Sequence, residues 1–129
     1  MPDPKPSDRF TPLIIGAALF MQTLDGHSIA TVLPVAAESF GIPALSLNLA
    51  ITVYFAAAAA FLPISGWCAD RFGARRVFQL AIIGFIAGSL LSAFSPTPTW
   101  LFCGRAIQGM SGAALLPVGR LVLIRTSRK

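Results

Sequence analysis

The chain has 129 residues, of which 55% are hydrophobic and only 12% charged, with a formal net charge of +5. Soluble domains carry about 25% charged residues, so this composition excludes a disordered chain and argues against a water-soluble enzyme. No Asp, Glu, Lys or Arg occurs from Ser39 to Ala69 or from Val77 to Gly104, and each stretch exceeds the roughly 20 residues that cross a bilayer core.

Residues 1–9 are polar and proline-rich, and read as a short mobile tail. The apolar stretch that follows is too long for a signal-peptide core and lacks a small-residue cleavage site. It predicts a retained first helix over 10–33. Glu38 and the run FGIPA mark a short connection. A second helix is predicted over 46–66, with Ala56 to Ala60 as a small-residue face that lets helices approach closely. GWCADRFGARR reads as a charged loop, in which Gly66 ends the second helix and Gly73 permits a sharp turn. A third helix is predicted over 77–94, with Gly84 and Gly88 as a small-xxx-small pair. SPTPT cannot continue a helix. A fourth helix is predicted over 100–124, ending in RTSRK. The fold class expected is therefore all-α, a polytopic membrane bundle of four antiparallel spans embedded in the lipid bilayer.

The basic residues fall on one side of these spans. Lys5 and Arg9 precede the first, Arg71, Arg75 and Arg76 lie between the second and third, and Arg120, Arg125, Arg128 and Lys129 are at or near the end of the fourth. The other two connections carry none. By the positive-inside rule both termini are cytoplasmic. Charges at the ends of apolar runs act as topology determinants, so the basic balance does not point to nucleic acid. Cys68 and Cys103 fall at opposite ends of their helices, too far apart for a disulfide. One His without Cys or His neighbours gives no metal site. No nucleophile with a base, no phosphate-cradling loop and no cofactor motif is present, so the chain is not read as an enzyme.

Two ionisable residues lie inside apolar spans. Asp25 is about 22 Å along the first predicted helix, and Arg105 about 8 Å into the fourth, at 1.5 Å per residue. A charge at such a depth costs at least about 2.5–3.5 kcal/mol unless it faces a partner or a wet cavity. On the antiparallel arrangement both fall in the outer half, so they can face one another, either to fix packing or to mark an ion or substrate path. His27 lies about 200° round the helix from Asp25. It reads as a histidine bonded between helices or exposed at the outer interface.

Three segments then resemble the major facilitator superfamily. Gly66, Ala69, Asp70, Arg71, Gly73 and Arg75 match its loop signature G-x-L-A-D-R-x-G-R-R, with Cys68 in place of Leu and Ala74 in place of a basic residue. Arg105, Gln108 and Gly109 resemble its R-x-x-Q-G motif, and the continuation Pro117 to Arg120 (PVGR) is similar to drug:proton antiporters of the EmrB/QacA type. Leu24, Asp25, Leu33 and Pro34 resemble that group's L-D-x-T-I-V-N-x-A-L-P, with His27 for Thr and Ala30 for Asn.

The resemblance implies two six-helix halves with substrate and ion sites between them, in a group that commonly has fourteen spans. Residues 10–129 would be the N-terminal part of that domain. Asp70, Arg71, Gly73 and Arg75 would form a cytoplasmic gate contact with the other half, with Asp70 meeting a helix N-terminus and Gly66 allowing close packing. Arg105 would lie in the central path and couple proton movement, with Asp25 as its partner. Gln108, Gly109 and Pro117 would belong to the fourth-helix motif. No cofactor is implied. The partners would be a proton, a small organic substrate, and further C-terminal helices or another membrane subunit, in a bacterial inner membrane. The function implied is proton-coupled export of small organic compounds. The alternative is a truncated four-helix membrane protein without transport of its own.

Overall fold

A computed structural model of the chain describes residues 6–128. They form four helices, α1 (Pro6–Phe40), α2 (Ala44–Phe72), α3 (Ala74–Ala93) and α4 (Pro98–Ser127). All four are long and apolar enough to cross a membrane.

The helices run further than the sequence pattern predicts. Lys5 and the rest of 1–5 lie outside the described residues, but residues 6–9, expected in the tail, are the first turn of α1. Proline suits that position, because the first helical N–H has no partner to lose. At its other end α1 does not stop at Leu33. Pro34 sits inside it, as do Pro63 in α2 and Pro117 in α4. Proline removes one hydrogen bond without forcing a break where neighbouring helices hold the segment. The true stop is Gly41, at φ 65°. Its N–H bonds to Glu38 and that of Ile42 to Ala37, both at 3.2 Å, a closure that needs a left-handed residue at this point.

The charged segment after α2 is also not a loop. α2 continues through Trp67, Cys68, Asp70 and Arg71, and one residue, Gly73, separates it from α3. Gly66 therefore lies inside α2 and does not end it. The end falls at Gly73, whose φ of 94° is closed to residues with a side chain. Arg71 can extend a membrane helix past the apolar zone because its stem lies on apolar surface while its head reaches water.

α4 is the hub. Of its most apolar window, 44% is buried within the bundle, against 11% for α1 and for α2. It packs most extensively on α3, then on α2. The α3 contact is glycine-based: a methyl group at Gly88 would lie 2.8 Å from the Gly104 carbonyl oxygen and 3.0 Å from the Gln108 nitrogen. Gly84 faces Ser111 in the same seam. The small residues that the sequence marks as contact faces are thus used within the chain, and Ala57 meets Gly109 of α4. One apolar cluster joins Ile15, Val77, Phe78, Phe85, Leu115 and Val118; another joins Leu33, Ala37, Leu47, Ala50 and Leu101 at the other end. Outward, Phe10, Leu13, Phe20, Leu45, Leu80 and Phe94 are more than half exposed, as befits side chains solvated by lipid tails.

Candidate functional site

The site is built on the facing sides of α1 and α4. Arg105 stands two turns into α4 and Asp25 near the middle of α1. Arg105 Nη1 donates to Asp25 Oδ2 at 2.7 Å and to Gln108 Oε1 at 2.8 Å. Gln108 Nε2 donates to Asp25 Oδ1 at 3.2 Å. Gln108 falls on the Arg105 face because residues three apart on a helix are neighbours. The three side chains close a triangle in which each touches the other two. Arg105 is 3% exposed, and the Asp25 side chain 21%. The carboxylate is the more exposed member of the pair.

The triangle has a roof that the sequence does not announce. The Tyr54 ring of α2 lies 4.6 Å from the Arg105 guanidinium carbon, a cation–π geometry whose strength grows as water is excluded. Gln22 Nε2 donates to the Gly112 carbonyl at 3.2 Å and reaches the Tyr54 hydroxyl at 3.5 Å. Gln22 carries a usable signal, since its place three residues before Asp25 puts it on the same helix face. Tyr54 carries none: it lies in a long uncharged run, and no spacing links it to Arg105. Arg105 Nε is buried and has no hydrogen-bond partner.

The expected gate residues are not drawn into this triangle. Gly66, Asp70 and Arg71 lie on the last turns of α2, Gly73 is the joint, and Arg75 stands in the first turn of α3. Arg71 stacks over Trp67 at 5.6 Å. Asp70 is exposed, and a methyl group at Gly66 would meet nothing within 4 Å, so this face of α2 is open on the chain. In α4, Gly109 is buried under the Tyr54 carbonyl, where any side chain would collide. Pro117 lies inside the helix and faces outward. His27 is exposed and its Nδ1 donates to the Thr23 carbonyl one turn back, at 2.8 Å. Among the described residues, no three His, Cys, Asp or Glu side chains gather as a metal site would require.

Four membrane-length helices and a buried charge pair across two of them describe a polytopic integral membrane protein with a polar centre. Residues 15–129 match the Major Facilitator Superfamily, and the chain belongs to that family of membrane transporters. It is similar to the proteins named MdtD, for multidrug resistance, of Escherichia fergusonii, Escherichia coli and Shigella boydii. Each is 41% identical over 125 residues, covering 97% of this chain and 26% of the relative. The chain thus spans about a quarter of the length of these relatives. No solved structure matches it.

Proposed function

We propose that this chain forms the N-terminal part of a transporter that exports small organic compounds in exchange for protons, of the EmrB/QacA antiporter type. The observation that carries the reading is the Asp25–Arg105–Gln108 triangle, an ionisable cluster inside membrane-length helices. Intramembrane charges of this kind mark ion and substrate paths. The multidrug-resistance name of the relatives supports the substrate class.

In the mechanism, Asp25 is the proton carrier. Ionised, it holds Arg105 by charge and by hydrogen bond. Protonated, it offers Arg105 a neutral acceptor, so the charge–charge attraction is lost and only the hydrogen bond from the guanidinium remains. Arg105 then rests on Gln108 and on the Tyr54 ring. A change in the tether between α1 and α4 biases the bundle between outward-open and inward-open states, because a packed interface has discrete arrangements.

Asp70, Arg71, Gly73 and Arg75 act as the inner gate. Asp70 and the open face at Gly66 meet helices of the other half, where a helix N-terminus favours the carboxylate. The side that carries Arg9, Arg71, Arg75, Arg76, Arg125 and Arg128 faces the cytoplasm of a bacterial inner membrane.

The test is dye efflux by the full-length protein, with and without a protonophore, for Asp25→Asn. Loss of the protonophore-sensitive component is expected. Efflux equal to wild type, with the same protonophore sensitivity, sinks the reading.

A further inference from the structure

Two prolines inside different helices act on one cavity. Pro63 lies within α2 and Pro117 within α4. A proline has no N–H, so the carbonyl four residues before it loses its helical donor. For Pro63 that carbonyl belongs to Ala59, and for Pro117 to Ala113. Ala59 and Ala113 both line a cavity of about 340 Å³ between α1, α2 and α4, together with Gln22, Tyr54, Phe55 and Leu62. Pro34 of α1 frees the carbonyl of Ala30 in the same way, but Ala30 lines a different cavity, beside Asn48.

Polar groups already meet at the cavity between α1, α2 and α4. Gln22 Nε2 donates to the carbonyl of Gly112, the residue before Ala113, at 3.2 Å, and reaches the Tyr54 hydroxyl at 3.5 Å. Backbone oxygens on this turn of α4 are therefore within reach of groups on the cavity side. The rest of the wall is apolar, and the Tyr54 and Phe55 rings stand edge to face with centroids 5.5 Å apart. Among the described residues that line the cavity none is charged. Within a bilayer a carbonyl freed by proline calls for a donor from outside its own helix.

We propose that this cavity binds an uncharged aromatic compound through hydrogen-bond donors of the kind an amide supplies. The freed carbonyls of Ala59 and Ala113 accept the donors. Tyr54 and Phe55 hold the ring, since aromatic groups favour offset and edge contacts. The Tyr54 hydroxyl and the Gln22 amide meet the ligand's own acceptor. An ammonium or a carboxylate is disfavoured, because a charge taken out of water without a partner is costly. The volume falls within the range of small-molecule pockets, about 300–1,000 Å³. The inference goes beyond the export reading by naming a ligand class, and it does not require that the ligand be carried.

The test is equilibrium dialysis of the purified full-length protein against naphthamide, whose amide carries N–H donors, and its N,N-dimethyl derivative, which has none. Naphthamide is expected to bind about 25-fold more tightly, from two neutral hydrogen bonds at about fivefold each. Pro63→Ala and Pro117→Ala return the helical N–H to Ala59 and to Ala113, and each is expected to narrow that preference about fivefold. Pro34→Ala, the same change at the other cavity, leaves it as it is. Alanine is the better helix former, so these variants keep the helices, and the wild-type comparison needs no substitution at all. Equal binding of the two compounds overturns the proposal. Binding of neither also overturns it, since helices beyond this chain then fill the cavity. An equal narrowing in Pro34→Ala overturns it as well. Dialysis reads binding without transport, so an Asp25→Asn efflux result that sinks the export reading leaves this inference standing.

Discussion

Asp25 and Arg105 are 80 positions apart in the chain and meet at 2.7 Å across the α1–α4 interface. They are unequal partners. Arg105 is nearly sealed from solvent, and Asp25 keeps a fifth of its side chain exposed. A carboxylate that loses its partner can protonate or hydrate; a guanidinium cannot lose its charge.

That inequality predicts an asymmetry in stability. Asp25→Asn leaves a sealed cation without its counter-charge and is expected to cost about 3 kcal/mol or more. Arg105→Gln is expected to cost less. Denaturant unfolding of both variants in the same detergent checks the order, and Arg105→Gln being the more destabilising would refute it.

Tyr54 is expected to act through its ring. Tyr54→Leu removes the face above Arg105 and is expected to cost about 2 kcal/mol at this desolvated position. Tyr54→Phe keeps the face and loses only the long contact with Gln22, so its cost should stay under about 1 kcal/mol. A double-variant cycle with Arg105→Gln measures the coupling: the cost of Tyr54→Leu should fall once the guanidinium is absent.

The glycine seam predicts a contrast between two alanine substitutions. Gly88→Ala drives a methyl group into the α4 backbone at Gly104 and Gln108, and overpacking of this kind costs about 1–3 kcal/mol. Gly66→Ala meets open space and should leave stability within about 0.5 kcal/mol of wild type. If Gly66→Ala nonetheless impairs efflux by the full-length protein, the loss lies in the gate contact. Thermal unfolding and efflux on the same preparations separate the two effects.

Gly73→Ala tests the joint between α2 and α3. At φ 94° a side chain is strained by about 1–3 kcal/mol. A lowered melting temperature in Gly73→Ala is expected, and an unchanged one would refute the strain at this joint.

The charge pair was legible in the sequence because an uncompensated charge inside an apolar span is costly, so Asp25 and Arg105 had to be accounted for together. Gln108 came with the fourth-helix motif, and its position three residues on from Arg105 made the contact reachable. Tyr54 was not legible. Cation–π stacking leaves no mark in an apolar run, and no periodicity ties residue 54 to residue 105. The helix ends failed for a related reason. Charges at 70–76 suggested a loop, yet arginine stems can extend a helix out of lipid. The backbone stops where a positive φ is required, at Gly41 and Gly73.

The place of α4 as hub has a consequence for how the chain is made. Ribosomes add roughly 5–20 residues per second, so Arg105 is synthesised about 4–16 s after Asp25. Through that interval α1, α2 and α3 are threaded into the bilayer without the helix they all pack against. Asp25 is made before the cation that it pairs with in the finished bundle. Until α4 arrives, Gly84 and Gly88 of α3 lack the helix that covers them in the finished bundle.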